Sequence, residues 1–186
     1  MEQILQFDFS VLNWIQQTMR NDVLDYVMAF FSAIGHAGLI WIIAGVILLF
    51  FRKTRVTGMI MLAAMLVGYL AGDLVLKPLV QRPRPFVFNP AVKLFISPPS
   101  GYSFPSGHST CAASAVTVLL KRNKTLGFIA LPVALLIMFS RLYNYVHFPT
   151  DVLTGMLLGI CTAVIMLLIA RAVRLDDRLP AYKKAK

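Results

Sequence analysis

Residues 150–170 read TDVLTGMLLGICTAVIMLLIA, and Asp151 is the only charged residue in this run. A helix that crosses a lipid bilayer needs about 20 predominantly apolar residues. Residues 56–76 and 125–142 form runs of similar character. We predict helices for all three, because the strands of a membrane barrel are about 10 residues long and alternate in polarity.

The composition of the whole chain is typical of a membrane protein. Of its 186 residues, 58% are hydrophobic and 14% are charged, and the mean hydropathy is +0.73. A soluble domain carries about 25% charged residues. We therefore predict one all-α domain over residues 1–186, a polytopic membrane bundle of five to six membrane helices with an N-terminal interfacial helix.

The predicted domain has three parts: residues 1–34 with the interfacial and short helices, residues 36–171 with the catalytic bundle, and residues 172–186 as a basic cytoplasmic tail. The expected spans are residues 36–51, 56–76, 108–120, 125–142 and 150–170. The third span is short, which predicts that it is buried among the others or extended by its neighbours. Residues 23–34 are too short to cross alone, because twelve helical residues rise about 18 Å. The side of the membrane on which the N-terminus lies therefore stays open.

The formal net charge is +10, and 12 of the 18 Lys and Arg residues lie in residues 52–55, in residues 121–124 and in the segment from Arg171 onward. Basic residues in short loops on one side of a bundle indicate the cytoplasmic face. This distribution excludes a nucleic-acid partner, which would need a solvated basic surface. Cys111 and Cys161 lie in apolar runs and form neither a disulfide framework nor a metal pattern.

His147 and Asp151 are four residues apart where the last apolar run begins, so a helix places them on one face. Pro149 suits the first turn of that helix. A carboxylate bound to one imidazole nitrogen fixes the tautomer and leaves the other nitrogen free as a base or nucleophile. Such a pair alone is usually structural, but beside Arg141 at a membrane helix start it indicates a functional site.

The tetrapeptide Pro105-Ser106-Gly107-His108 precedes another apolar run and predicts a helix start with Ser106 as its N-cap. Gly107 permits close approach of a ligand to the backbone. Free N–H groups and the helix dipole attract an anion there. His108 would stand over that anion and could protonate a leaving oxygen. A simple helix cap is the alternative interpretation of these four residues.

Lys77, Arg84 and Arg141 lie at the ends of apolar runs or just after them. Arg suits a two-point contact with phosphate oxygens, and Lys acts as a point charge. Snorkelling toward the interface would explain any one of them, but three cations together with two histidines favour a phosphate site. Arg82 lies in the same turn, and its role stays open. For Asp73 we predict an ion pair with Lys77.

The pattern Lys-x6-Arg-Pro, Pro-Ser-Gly-His, Ser-Arg-x5-His-x3-Asp resembles the signature of the type 2 phosphatidic acid phosphatases. These are integral membrane lipid phosphatases whose site is related to that of the vanadium haloperoxidases. The match is complete at Lys77, Arg84, Pro85, Pro105, Ser106, Gly107, His108, Ser140, Arg141, His147 and Asp151. Many members have six clear spans, whereas this sequence shows five and the interfacial helices.

The resemblance implies a hydrolase that uses no metal and no cofactor. His147 would attack phosphorus to form a phosphohistidine, oriented by Asp151, and His108 would protonate the leaving group. Water would then cleave the phosphoenzyme. The phosphate oxygens would be held by Lys77, Arg84, Arg141 and the amides near Ser106 and Gly107.

The resemblance also implies a lipid phosphate as substrate. Undecaprenyl diphosphate is the leading interpretation, because small bacterial members commonly dephosphorylate it. Phosphatidate and phosphatidylglycerophosphate are alternatives. A lipid-phosphate binder or transporter without turnover is an alternative of another class, although binding alone does not need His147 held by Asp151.

The predicted location is the bacterial inner membrane, with the site on the extracytoplasmic side, opposite the basic loops. Residues 86–104 are rich in Pro, Phe and Ser, and a loop of this length is often functional. We predict a lid or a lipid-entry rim there, with a plain connector as the alternative. The oligomeric state stays open.

Overall fold

Within residues 2–178, the part of the chain that the computed structural model describes, the secondary structure is helical and contains no strand. The predicted all-α fold is therefore confirmed. The helices are α1 (Glu2–Thr18), α2 (Asp22–Ile34), α3 (Leu39–Phe50), α4 (Arg55–Tyr69), α5 (Lys77–Val80), α6 (Pro85–Phe88), α7 (Gly107–Arg122), α8 (Lys124–Tyr143), α9 (Pro149–Ala172) and α10 (Leu175–Arg178). The end of the predicted basic tail, residues 179–186, lies outside the described residues.

Three helical stretches of the described chain are long and apolar enough to cross a membrane, namely Arg55–Phe88, Lys124–Tyr143 and Pro149–Ala172. Asp22–Ile34 and His36–Phe50 pass the same test together as a pair bent by 45°. The short helix before residue 36 thus lengthens the span that follows it. The predicted count of five to six membrane helices stays a prediction.

A short 3-10 segment, His36–Gly38, makes the bend between α2 and α3. Gly38 has a φ of 73° and Ala37 a φ of 50°, both in the left-handed region. Only glycine adopts this conformation without a steric penalty. A side chain at Gly38 would also lie 3.1 Å from Cys111 Sγ on α7. The bend therefore needs glycine for conformation and for space.

Helix α7 lies at the centre of the bundle, packed against α4, α8 and α9. Its buried residues are mostly small: Ser109, Thr110, Ala112, Ala113, Ser114, Ala115, Val116, Val118 and Leu119. Because protein surrounds this helix, it can be short and can carry Ser and Thr that a lipid-facing helix would leave unpaired. The prediction that the short third span is buried is confirmed.

Helices α7 and α9 approach closely at two glycines of α9. A Cβ on Gly155 would lie 2.5 Å from the Ser106 carbonyl oxygen, and a Cβ on Gly159 would clash with the Thr110 carbonyl. Small residues at such contacts allow helix backbones in membranes to pack against each other. This contact fixes the start of α9 beside the start of α7, where two of the predicted motifs lie.

A π-helix, Leu70–Leu76, continues α4 toward the predicted site. Pro78 follows it and has no N–H for the carbonyl four residues earlier, so a regular α-helix cannot continue through this position. The Lys77 N–H instead donates to the Gly72 carbonyl, five residues back. The wider turn changes the direction of the side chains at the end of this span, and such turns are frequent at functional sites.

Helix α1 packs one face against the bundle. Leu12 and Ile15 are buried there, whereas Trp14 is 57% exposed. Leu12 joins a small apolar cluster with Tyr145 and Phe148, which flank the predicted nucleophile. This amphipathic pattern agrees with the predicted N-terminal helix, but α1 also contacts the predicted catalytic segment.

The basic loops and the predicted site lie at opposite ends of the bundle. A groove at one end is lined by the predicted basic side chains Lys121, Arg122, Arg171 and Arg174. Most of the predicted site residues line a cavity at the other end, where α8 finishes and α7 and α9 begin. Arg122 and Asp176 form a two-point ion pair at the basic end, with N–O distances of 2.9 and 2.5 Å.

Candidate active site

A cavity of about 810 Å³ brings the three motifs together. Six of the predicted site residues line it: Lys77, Arg84, Gly107, His108, Arg141 and His147. They come from five separate positions in the fold, which are the π-helix end, the turn before α6, the start of α7, the end of α8 and the connection to α9. Asp151 is fully buried behind His147. The segments therefore converge on one volume, as the motifs predicted.

His147 and Asp151 lie on one face of the start of α9. Asp151 Oδ2 is 3.6 Å from His147 Nδ1, and Nδ1 has no closer hydrogen-bond partner among the described residues. The same Oδ2 accepts a hydrogen bond from the Phe148 N–H at 2.9 Å. Asp151 therefore caps its own helix, and this cap holds the carboxylate beside the ring.

Arg84 determines the tautomer of His147. Its Nη1 lies 3.1 Å from His147 Nε2, and a guanidinium N–H can only donate. The Nε2 atom is therefore unprotonated, and the ring proton is on Nδ1, toward Asp151. Burial, followed by the positive charges of Arg141 and Arg84, lowers the pKa of His147 well below its usual value of 6.5. The ring is neutral at pH 7, with an unprotonated nitrogen beside the cavity.

Arg84 is held by backbone carbonyls on both sides. Its Nε donates to Gly101 O at 3.0 Å, Nη2 donates to Ser100 O at 3.1 Å, and Nη1 donates to Val146 O at 2.9 Å. A guanidinium has five N–H donors. With three on carbonyls and one on His147, one N–H stays available to a ligand. Arg84 is thus pre-positioned by the two loops that flank the cavity.

Arg141 is 3% exposed and lines the same cavity. Its Nη1 donates to the hydroxyl of Ser32 on α2. Its Nε is buried without a hydrogen-bond partner in the described part of the chain. A buried charged donor without a partner is costly, so this N–H marks a place where an anion would be stabilised.

Lys77 forms the predicted ion pair with Asp73, four residues earlier across the π-helix. Both side chains line the cavity, and both are partly exposed. A side chain at Gly107 would meet Asp73 Oδ2 at 3.2 Å, so this glycine leaves room for the carboxylate. The Lys77 ammonium must therefore be shared between Asp73 and any bound phosphate.

His108 is the second cavity histidine. Its Nε2 is 3.3 Å from the carbonyl oxygen of Ser32, which can only accept, so Nε2 carries the proton. Its ring also lies 6.3 Å, centroid to centroid, from the ring of His36 at the bend after α2. Helix α2 thus positions both His108 and Arg141 through one residue, Ser32.

Ser106 caps α7 as predicted, because its hydroxyl accepts from the Ser109 N–H at 3.4 Å. Its own N–H donates to the Asp151 carbonyl at 3.0 Å. The amide of Ser106 is therefore already paired, and this residue links α7 to α9. Its place in the phosphate-binding set stays a prediction, with the helix N-terminus and Gly107 as the parts that reach the cavity.

Residues 86–104 pass over one side of the cavity, and residues 96–100 line it. The Arg20 guanidinium donates to Lys93 O at 2.7 Å, and the Phe95 ring contacts Tyr26 at 5.0 Å between centroids. The segment thus forms a wall of the cavity that is attached to the turn between α1 and α2 and to α2 itself. Its predicted function as a lid or lipid-entry rim stays a prediction.

Three polar residues beside the site carried no signal in the sequence. Ser32 and His36 line the cavity, but each looked like an isolated polar residue in or after a short apolar helix. Asp8 is fully buried and accepts hydrogen bonds from Thr150 on α9. Only the packing of α1 and α2 on the bundle brings these residues to the motifs.

The sequence matches the PAP2 superfamily over residues 57–174, which includes all three motifs. The undecaprenyl-diphosphatase of Sulfolobus acidocaldarius is 34% identical over 152 residues, 81% of this chain and 71% of that protein. Phosphatidylglycerophosphatase B of Bacillus subtilis is 38% identical over 130 residues, 64% of this chain and 60% of that protein. The crystal structure of Aquifex aeolicus LpxE has a TM-score of 0.75 at 29% identity and covers 87% of this chain and 94% of that one.

An apolar helical bundle with two histidines, a carboxylate and three cations around one cavity defines a membrane phosphatase. The chain belongs to the PAP2 superfamily, and it is a lipid phosphatase, a hydrolase of the membrane. The predicted family and enzyme class are confirmed. The relatives carry the names of different lipid phosphates, so membership of the family does not select the substrate.

Proposed function

We propose that the protein removes the terminal phosphate from undecaprenyl diphosphate through a phosphohistidine on His147. The observation that carries this proposal is the His147 ring itself. Its Nε2 is unprotonated beside Arg84 at 3.1 Å, and Asp151 lies behind its other nitrogen at 3.6 Å. A neutral imidazole with a carboxylate behind it is the arrangement of an activated nucleophile.

In the first step, the Arg84 hydrogen bond that His147 Nε2 accepts passes to a phosphate oxygen, which frees the Nε2 lone pair. Nε2 then bonds to phosphorus, and the P–O bond to the lipid phosphate breaks. The ring becomes positively charged, and Asp151 stabilises that charge. The leaving oxygen takes a proton from His108, which needs its protonated form for this role. In the second step, a water oxygen bonds to phosphorus while His108 accepts a proton from that water. The N–P bond breaks, its electron pair returns to His147 Nε2, and inorganic phosphate leaves.

Lys77, Arg84 and Arg141 are the proposed phosphate ligands. Arg84 has one N–H left over after its three carbonyl partners and His147, and Arg141 has a buried Nε without a hydrogen-bond partner among the described residues. Donors that are in place before the reaction stabilise the transferring phosphoryl group without reorganisation. The Lys77 ammonium would leave part of its contact with Asp73 when the phosphate binds. The Gly107 amide adds the positive end of α7, and Ser106, whose N–H is already paired with Asp151 O, caps this helix.

The choice of a prenyl diphosphate is supported by the extent of the sequence similarity. The match to the undecaprenyl-diphosphatase covers 81% of the chain, against 64% for the phosphatidylglycerophosphatase. The identity to the latter is higher over its shorter range, at 38%. Phosphatidylglycerophosphate is therefore the second candidate, and phosphatidate a third.

In this proposal the chain works as one catalytic domain in the bacterial inner membrane, with the site on the extracytoplasmic side. The support is the separation of charges. The basic groove with Lys121 and Arg171 lies at the end of the bundle opposite the cavity, and the positive-inside rule makes the basic end cytoplasmic. Cysteine labelling of single positions in intact cells tests this orientation.

The proposal is tested by phosphate release from the purified protein in detergent, with undecaprenyl diphosphate, phosphatidylglycerophosphate and phosphatidate at equal mole fraction. We expect kcat/KM to be highest for the diphosphate. A higher kcat/KM for phosphatidylglycerophosphate or phosphatidate would make that lipid the substrate and would leave the proposed mechanism unchanged. His147→Ala should release no phosphate while keeping the wild-type melting temperature, and an active variant would exclude His147 as nucleophile. Excess chelator should leave the rate unchanged, and vanadate should inhibit.

A further inference from the structure

Arg82 connects two buried carboxylates that are far apart in the sequence, Asp8 on α1 and Asp151 on α9. Its Nη2 is 2.5 Å from Asp8 Oδ2, and its Nη1 is 2.6 Å from Asp151 Oδ1. Both carboxylate side chains are fully buried, and the Arg82 side chain is 17% exposed. A buried charge is costly unless it is paired and hydrogen-bonded, so this row of three charges is stable only as a unit.

Asp8 also holds the first turn of α9. Its Oδ1 accepts from the Thr150 N–H at 3.0 Å, and its Oδ2 accepts from the Thr150 hydroxyl at 2.6 Å. Arg82 Nη1 donates to the same hydroxyl at 2.7 Å. Thr150 directly precedes Asp151. Helix α1 is thus attached, through one acidic side chain, to the residue next to the proposed orienting carboxylate.

Arg82 does not line the cavity, unlike Lys77, Arg84 and Arg141. Its guanidinium lies over the Phe148 ring, 3.9 Å from the centroid. Its carbonyl oxygen accepts from the backbone N–H of Ser103 at 2.8 Å. The side chain is therefore held outside the cavity lining, on the Oδ1 side of Asp151.

We propose that Asp8 and Arg82 are positioning residues that keep the Asp151 carboxylate oriented and available to His147. Arg82 occupies Oδ1, which leaves Oδ2 directed at His147 Nδ1. An unneutralised Arg82 would compete with the imidazolium for the negative charge of Asp151. The Asp8 carboxylate neutralises Arg82, so the row keeps a net charge of about −1 for the imidazolium.

This inference depends on the proposed function of His147, and its test separates the two. The variants are Asp8→Asn, Arg82→Gln and the double variant, with Glu2→Gln as the matched control, an exposed carboxylate on the same helix. We expect Asp8→Asn and Arg82→Gln each to lower kcat about 10- to 100-fold, as for residues that orient a functional histidine. The KM and the inhibition constant of inorganic phosphate should stay within about twofold, because neither residue touches phosphate.

The double variant should be no slower than Arg82→Gln alone, because coupled residues give non-additive effects. Arg82→Lys keeps the charge and should recover part of kcat, and it carries the test if Arg82→Gln does not fold. An unchanged kcat in Asp8→Asn would overturn the inference. A lower melting temperature with a normal kcat per folded molecule would also overturn the inference, because Asp8 and Arg82 would then contribute only to stability.

A rise in KM and in the phosphate inhibition constant for Arg82→Gln would place Arg82 on the substrate, and that result would also overturn the inference. His147→Ala is measured in parallel. If His147→Ala is inactive while Asp8→Asn is fully active, the positioning pair fails and the nucleophile stands. If His147→Ala is active, His147 is not the nucleophile, and both the proposed mechanism and the positioning role that depends on it are wrong.

Discussion

Replacing Asp151 by Asn tests the chemistry of the site with little change in volume. The Asn side chain can still accept from Arg82 through its oxygen. Its NH2 group would then face His147 Nδ1 and the Phe148 N–H, which are both donors in the present arrangement. To avoid this clash, the proton of His147 would move to Nε2, against the Arg84 guanidinium at 3.1 Å. The nucleophilic lone pair would therefore be lost from the cavity side.

The magnitude follows from the distance between the two groups. A full imidazolium charge 3.6 Å from the carboxylate is stabilised by about 5 kcal/mol at an effective dielectric constant of about 20. Asn removes this term and leaves Arg82 less well neutralised. A loss of about 5 kcal/mol in the transition state corresponds to a decrease in kcat of about 10³- to 10⁴-fold.

The assay is steady-state phosphate release by Asp151→Asn in detergent, together with its melting temperature. Asp176→Asn is the matched control, because it removes the carboxylate of an ion pair at the opposite end of the bundle. We expect normal activity for the control. A kcat for Asp151→Asn within tenfold of wild type, in a folded protein, would refute the assigned role of the carboxylate.

Three further predictions follow from the geometry. Arg84→Lys keeps the charge but loses the guanidinium group that contacts three backbone carbonyls and His147, so kcat/KM should fall about 10²- to 10³-fold. A loss below twofold would contradict the role of Arg84 as a phosphate ligand. The acid limb of the kcat/KM profile should lie below pH 6.5, because the pKa of His147 is lowered. The neutral, active ring persists until the pH falls through that lowered pKa. An acid limb above pH 7 would contradict the assignment of His147 as a neutral nucleophile. Gly155→Val places a Cβ 2.5 Å from Ser106 O and should destabilise the fold by about 1–3 kcal/mol. The measurement is the melting temperature, which should fall. An unchanged melting temperature would show that α7 and α9 can separate freely.

The fold class could be predicted from the sequence, because a continuous apolar run that crosses a bilayer must form a helix to satisfy its own backbone hydrogen bonds. The burial of α7 was also accessible, from the short length of its apolar run. The π-helix before Lys77 was not. It depends on Pro78 together with the packing of the end of this span, and a periodicity of 3.6 carries no sign of one widened turn.

The site could be predicted to the extent that its residues belong to ordered motifs. His147 and Asp151 share a helix face, and His108 lies at a helix start, so local geometry already orients them. Ser32 and Asp8 could not be found in this way. Each is a single polar residue on a helix near the N-terminus, and their contacts with Arg141 and Arg82 cross more than 70 positions of the chain.

The sequence by itself determined a helical membrane protein, because the length of an apolar run is a local property. The resemblance of its ordered motifs to a known family indicated a lipid phosphatase and predicted a cationic, histidine-based site. Tertiary structure alone decided which nitrogen of His147 is unprotonated, which oxygen of Asp151 faces it, and that α1 reaches the site through Asp8. The physical reason is that tautomer and side-chain orientation are set by partners from distant segments, and only the packed bundle brings Arg84, Arg82 and Asp8 within hydrogen-bond distance of their targets.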